Sequence, residues 1–511
     1  MRRVFLAFVA ACLPGIPGVS AAQEAGLLEE GRALYEDKCA QCHGVEGDGG
    51  GVAAPRLLPR PRDFTSGSFK IRTTPSGELP TDSDLISILR RGMPYTAMPA
   101  WSSLRDEQVD ALVAYIKTFN EDFADPDMIV PPLEVPQAPR LTEESVASGR
   151  QVYLENKCYE CHGDQGRADG ESAPRLADDA GLPIRPADLT QRWSFRGGTR
   201  REDIYRTFTT GLNGTPMPSY ADSIAEQQRW QLVDYVYSLS RDEPGYASLV
   251  IAKHVETEIA LDPRSPAFAA VEPALLPMAP QLIDPGRSFV PGTNVVSVRA
   301  VYDSEVLSVQ LSWSSMLAQR EGSNRPDGRD PPVPGVVLSD AVALQLPSTV
   351  KAGPAKPYFL YGDPAHAVEL AFYDAGADAA TVYLGRGEAS LAPATLENGQ
   401  AIRARGVFEQ GLWQVVFQVP RRSAAGELDP RFAEAAFVPI AVSVWDASAG
   451  ETGNRRAITS WFPLYLDPPE TGAAYTAAGS LALITLIGEL LLVAGVRRAQ
   501  RGREPQHPGG E

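Results

Sequence analysis

Four of the five cysteines in this chain fall in two short phrases, KCAQCHG at residues 38–44 and KCYECHG at 157–163. Each phrase sets two thiols three residues apart with a histidine directly after the second: Cys39, Cys42 and His43, then Cys158, Cys161 and His162. A disulfide framework would suit an exported chain but asks nothing of the histidines. A thioredoxin-like dithiol also uses C-x-x-C, yet it expects a βαβ setting that the flanking sequence lacks. One chemistry is signalled by all three residues at this spacing. The thiols form thioethers to a macrocycle and the histidine supplies an axial nitrogen to its iron, which is covalent attachment of haem c.

The sixth iron position has matched candidates. Met98 in AMPAW and Met217 in PMPSY each follow their histidine by 55 residues, and the set repeats at an offset of 119, Cys39 to Cys158 and Met98 to Met217. Prolines flank both methionines and stiffen their loops. Two alternatives stay open: that these are packing residues, and that Met93, which has no methionine counterpart in the second copy, competes with Met98. The other histidines are His254, His366 and His507. His/Met ligation leaves no open position and raises the potential relative to two nitrogens, so such haems carry electrons.

Something must position these residues. GRALYEDKCAQCHG matches GRQVYLENKCYECHG after a one-residue adjustment, and APRL recurs at 54–57 and 173–176. Apolar residues at helical spacing precede each first cysteine, and DEQVDALVAYIKTF and AEQQRWQLVDYVYSL read as amphipathic helices after each methionine. Between these anchors PRDF and PADL are out of phase, so a later shortening in the second copy restores the register. Residues 26–122 and 144–242 resemble two class I cytochrome c domains. The likeness rests on Cys39, Cys42, His43 and Met98 and on Cys158, Cys161, His162 and Met217. The Pro-rich stretch at 123–143 reads as a stiff linker.

Beyond a Pro-rich connector at 243–289, the texture changes to short β-branched runs punctuated by Gly, Pro and Asp, which predicts an antiparallel β-sandwich over 290–468. The runs VQLSW ending at Trp313, SDAVALQLP (339–347), KPYFLYGD (356–363), GLWQVVFQVP (411–420) and VPIAVSVWDASAGETGNRRAITSW (438–461) are similar to the haem-binding domain of the ethylbenzene dehydrogenase and dimethylsulfide dehydrogenase gamma subunits. That resemblance implies a non-covalent haem b held by a methionine and a lysine, and electron exchange with a molybdopterin catalytic subunit through an iron–sulfur subunit. Here Tyr361 stands where the family has its methionine, and Arg455 and Arg456 stand near its lysine. Arginine stays protonated and is a poor ligand. Met316, Lys351, Lys356, Tyr361 and His366 are the remaining candidates for a haem b.

The chain's 47 basic and 64 acidic residues give a formal charge of −17, which argues against nucleic acid or anionic lipid as bulk-charge partners. Residues 1–22 have the layout of a secretory signal. Residues 473–496 form an apolar stretch long enough for one transmembrane helix, with Glu489 inside it. Arg497, Arg498, Arg501 and Arg503 follow, placing the tail 497–511 in the cytoplasm and the remainder on the periplasmic face of a bacterial inner membrane. The expected architecture is multidomain: two all-α cytochrome c domains, an antiparallel β-sandwich and one C-terminal transmembrane helix. The expected function is a dihaem electron-transfer subunit of a molybdopterin oxidoreductase complex, not an enzyme on its own. A cytochrome fused to a ligand-binding β-sandwich, or a free-standing relay between a quinol-oxidising complex and a terminal oxidase, are the alternatives.

Overall fold

The computed structural model describes residues 21–240, 245–286, 291–328, 335–350, 356–387, 390–394, 401–423, 425–469, 484–489 and 491–494. Nearly all of the expected signal segment, Lys351, most of the expected span 473–496 and the tail 497–511 lie outside the described residues. Among the described residues no helix is long and apolar enough to cross a membrane.

Each repeat is a four-helix unit. The first has α1 (Ala21–Lys38), α2 (Ala40–His43), α3 (Asp82–Arg91) and α4 (Asp106–Lys117); the second has α5 (Glu143–Glu155), α6 (Tyr159–His162), α7 (Arg201–Thr210) and α8 (Glu226–Leu239). In α4, Val109, Leu112, Val113 and Ile116 recur at helical spacing and are buried with Tyr35, Phe64, Leu85 and Leu89. Ile204, Phe208, Trp230, Val233 and Val236 build the matching core of the second repeat. Helix α1 crosses α4 at Gly31, where a Cβ would stand 2.1 Å from the Ala111 carbonyl oxygen, so only glycine permits the approach. Helix α3 opens with a reciprocal cap: the Asp84 N–H donates to Thr81 Oγ1 at 3.2 Å and the Thr81 N–H donates to the Asp84 carboxylate at 2.9 Å.

The one-residue adjustment between the repeats has a definite place. In the first, the Cys39 N–H bonds the Tyr35 carbonyl four residues back, at 2.8 Å; in the second, the Cys158 N–H bonds the Tyr153 carbonyl five back, at 3.1 Å. Lys157 takes up the extra residue in the left-handed conformation, φ 55°.

The third domain is mostly sheet: β1 (Val250–His254), β2 (Ala274–Pro277), β3 (Ala279–Pro280), β4 (Val295–Tyr302), β5 (Val306–Ser314), β6 (Ala341–Pro347), β7 (Val368–Asp374), β8 (Ala379–Gly385), β9 (Ala392–Pro393), β10 (Arg403–Glu409), β11 (Leu412–Pro420), β12 (Phe437–Trp445), β13 (Ala457–Ile458) and β14 (Phe462–Asp467). The path runs β10-β11-β5-β4-β1-β14-β12-β6-β7-β8-β9, with β12 common to both layers. Two expectations are corrected. The sheet is not wholly antiparallel, because β1 pairs in parallel with both β4 and β14. The region 243–289 is also more than a connector, since it contributes β1, β2 and β3; Val250, Ala252 and Leu276 are buried in the sheet core and need these neighbours. Strand β6 is buried at every position and reads in sequence as an unbroken apolar run apart from Gln345.

The linker between the repeats is fastened at both ends. The Leu133 N–H bonds the Thr73 carbonyl at 2.7 Å, while Val135 and Ala138 pack on the core of the second repeat.

Candidate haem centres

Each C-x-x-C-H begins where a long helix ends, so the turn of α2 or α6 carries the second cysteine and the histidine on one short rigid piece. The Tyr35 hydroxyl donates to the Gly44 carbonyl at 2.7 Å and the Tyr153 hydroxyl to the Gly163 carbonyl at 2.6 Å, pinning the exit of both turns to the preceding helix. His43 Nδ1 lies 2.9 Å from the Arg62 carbonyl oxygen and His162 Nδ1 lies 2.9 Å from that of Ala187. A carbonyl can only accept, so Nδ1 carries the proton and the lone pair sits on Nε2, the arrangement an axial iron ligand requires. Burial lowers the pKa of both rings and keeps them neutral. His43 is further clamped by stacking on Phe64, centroids 4.6 Å apart. The thiols of Cys39 and Cys158 are pushed up to about 11 by burial.

The methionine loops are superimposable in their bonding. Gly92 and Gly211 end α3 and α7 with positive φ. The Met93 N–H then bonds the Met98 carbonyl at 3.0 Å, and the Leu212 N–H bonds the Met217 carbonyl at 3.1 Å. Thr96 Oγ1 accepts from the Met98 N–H, and Thr215 Oγ1 accepts from the Met217 N–H, both at 3.2 Å. Met93 therefore corresponds to Leu212, a position that closes the loop, and Met98 to Met217.

All eight of these cysteine, histidine and methionine positions line one cavity of about 750 Å³. Its size lies in the ~300–1,000 Å³ range of small-molecule and cofactor sites. The fit to haem c rests on this wall: two thiols and a neutral Nε2 on each turn, with a thioether on the facing loop. The wall also holds the buried Trp101 N–H and Thr293 hydroxyl, neither with a partner among the described residues.

The out-of-phase loops supply the contact between the repeats. The histidine-to-carbonyl step spans 19 residues in the first repeat and 25 in the second. The surplus of the second carries Asp178, which pairs with Lys70 of the first at 4.0 Å. The longer loop of the first, before α3, carries Arg72, whose guanidinium donates to the Thr210 carbonyl at 2.8 Å, and Gly77, whose N–H donates to Asn213 at 3.2 Å. Sequence reasoning passed over Lys70 and Arg196. Their signal was the echo of SFK (68–70) in SFR (194–196).

The third domain closes on the second repeat. Arg185 donates to the buried Asp446 carboxylate at 2.9 Å and to the Gly292 carbonyl at 3.1 Å, and Arg167 donates to the Gln410 carbonyl at 2.9 Å. Residues Gly292–Val295 and Ser314–Met316 complete the cavity wall.

Among the described residues the candidates for a haem b, Met316, Lys356, Tyr361 and His366, are not assembled into a site. Met316 faces the shared cavity. Tyr361 is buried in a separate cluster, its hydroxyl donating to the Pro326 carbonyl and its ring covered by Arg456, 4.5 Å away. Arg456 also lies over Trp445 and bonds the Gly453 carbonyl and Asn454, so packed side chains fill the place where the resemblance put a ligand pair. His366 pairs with Asp363 at 3.0 Å and Lys356 is exposed.

Residues 26–116 match the family model for subunit III of cbb3-type cytochrome c oxidase, and residues 146–240 match the model for cytochrome c. The CcoP subunit of the cbb3-type oxidase of Azospirillum sp. (strain B510) is 28% identical over 213 residues, which is 41% of this chain and 61% of that protein. The FixP subunit of Sinorhizobium medicae (strain WSM419) is 30% identical over 116 residues, 21% of this chain and 35% of that protein. The chain thus spans less than two thirds of either relative. A solved reducing HAO-like protein complex of Kuenenia stuttgartiensis is 44% identical across 42% of this chain and 96% of its own, with a TM-score of 0.40. The repeats at 26–116 and 146–240 are two cytochrome c domains, followed by a mostly-sheet domain, and their cysteine pairs imply covalently bound haem c.

Proposed function

We propose that this chain carries two haems c and relays electrons as one subunit of a respiratory oxidoreductase complex. Haem c supplies one-electron transfer through its iron. The chain's own residues hold the ligands rigid: carbonyls fix both imidazoles, and two threonine-braced loops fix both thioethers. The observation that carries the reading is the single cavity walled by both ligand sets, which suits passage between two centres without an intervening carrier. The third domain then acts as a dock. The filled place around Tyr361, Arg456 and Trp445 favours this role over that of a haem b carrier.

The partner proposed from the likeness to the gamma subunits is a molybdopterin catalytic subunit with its iron–sulfur subunit, on the periplasmic face of the inner membrane with residues 473–496 as anchor. A second reading, a relay toward a terminal oxidase, is favoured by the names of the curated relatives. One preparation distinguishes them. The protein is purified from its native membrane, its haems are counted by pyridine haemochrome, and co-purifying metals are measured. Two haems c per chain with molybdenum and non-haem iron support the first partner; copper and non-covalent haem support the second. A chain carrying no covalent haem sinks both.

A further inference from the structure

Lys70 and Arg196 hold equivalent places in the two domains, each the third residue of an SF(K/R) phrase, and both line the shared cavity beside the two ligand sets. They come from different domains and line the same cavity, where burial first, then Arg62 and Arg196, lower the pKa of the Lys70 ammonium. Burial is the larger reason that both cations are weakened. Lys70 has an ion pair with Asp178 at the long distance of 4.0 Å and a weaker influence from Asp179. Arg196 has no ion pair or hydrogen bond among the described residues, and burial alone accounts for its lowered pKa. Arg62, a third cation in the same wall, donates to the Ser68 carbonyl at 2.8 Å, a neutral partner. Its place in the second domain is taken by Ala187, as the two histidine-binding carbonyls show.

Three half-buried cations gathered on one seam are costly: Asp63, Asp178 and Asp179 act on Arg62 without outweighing its burial, Lys70 has its ion pair at 4.0 Å, and Arg196 has none among the described residues. The remedy is anionic charge inside the cavity. Haem c has two carboxylates on its rim, so the group that the cysteine motifs already require brings that charge.

We infer that Lys70 and Arg196, with Arg62, form one carboxylate-binding seam that takes propionate groups from both haems where the two domains meet. The inference rests on the dihaem reading. It makes the haems a coupled pair, because each seam cation acts on two irons. A nearby cation disfavours the ferric form, so the seam raises both potentials.

The test uses the full chain purified with its haems, counted first by pyridine haemochrome, so that failure to carry two haems is recognised as failure of the earlier reading. Spectroelectrochemical titration then compares wild type with Arg196→Gln, Lys70→Met, Arg196→Lys and, as a control, Arg264→Gln, an exposed cation on the third domain. Arg196→Gln and Lys70→Met are expected to lower both midpoint potentials. A tenfold fall in the reduced-to-oxidised ratio at fixed potential corresponds to about 59 mV for a one-electron couple. Arg196→Lys restores most of the shift and Arg264→Gln gives none. Resonance Raman bands of the propionate bending modes are expected to move in the same two variants. If one variant does not load haem, the other reads the same seam. Unchanged potentials, a shift of only one haem, or shifted potentials with unmoved propionate bands would each overturn the inference.

Discussion

Gly149 lies so close to Gln231 that a Cβ on the glycine would stand 1.9 Å from the Gln231 carbonyl oxygen. Helices α5 and α8 therefore cross backbone to backbone, as α1 and α4 do at Gly31. Gly149→Ala is expected to force the helices apart and to cost at least the ~1–3 kcal/mol typical of overpacking. Chemical denaturation of the haem-loaded protein measures this loss. An alanine variant of wild-type stability would mean the crossing is looser than the backbone implies.

Met98 and Met217 sit in loops with the same hydrogen bonds, so their single substitutions should behave alike. Met98→Ala and Met217→Ala are each expected to remove half of the sulfur-to-iron charge-transfer absorption of the ferric protein and to let one haem bind carbon monoxide when reduced. Each also lowers one potential, since the thioether favours ferrous iron. If Met98→Ala changes neither band nor ligand binding, Met93 is the ligand instead.

Asp234, 1% exposed, accepts from Arg201 Nε at 2.9 Å and from the Ser145 hydroxyl at 2.6 Å, joining α5, α7 and α8. Arg201→Leu leaves that carboxylate buried beside a lone hydroxyl. Removing one partner of such a pair costs about 3–5 kcal/mol. Arg201→Leu with Asp234→Asn should recover part of this loss in a thermal melt.

Glu451 accepts the Gly292 and Asp446 N–H groups, each at 2.8 Å, from within the third domain. Burial, reinforced by the Asp446 carboxylate and opposed by Arg185, pushes it up to about 8. A carboxyl with a raised folded pKa keeps its proton after the unfolded chain has lost its own. Its stabilising effect is complete below the ordinary value near 4.5, falls as pH rises, and is gone above about 8. The melting temperature of the third domain should decline across that window, and Glu451→Gln should flatten the decline.

The candidate haem ligands were legible because their chemistry is local: three atoms of the C-x-x-C-H turn must meet one macrocycle, so spacing alone carries the signal. The methionines were legible through duplication, since two copies at one offset act as an internal comparison. The proposed seam was harder to read. Lys70 and Arg196 acquire their meaning only when the domains face each other, and Asp178 and Arg72 lie in the loops that differ most between copies. The strands at 250–254 and 274–277 were hidden by the prolines around them, whose penalty is overridden by parallel pairing of β1 between β4 and β14. Tyr361 and Arg456 look like displaced ligands in a linear reading and prove to be packing partners once β12 and its following loop are folded.

Cavity walls drawn from Cys39 and from Met316 are separated by 277 residues of chain. During synthesis the first motif is complete long before the last wall exists. Haem attached to the emerging chain would therefore meet a pocket that is still ajar, with Gly292–Val295 and Ser314–Met316 closing over the second repeat afterwards. On that order a defect in the sheet domain would leave the covalent haem in place and its pocket open to water.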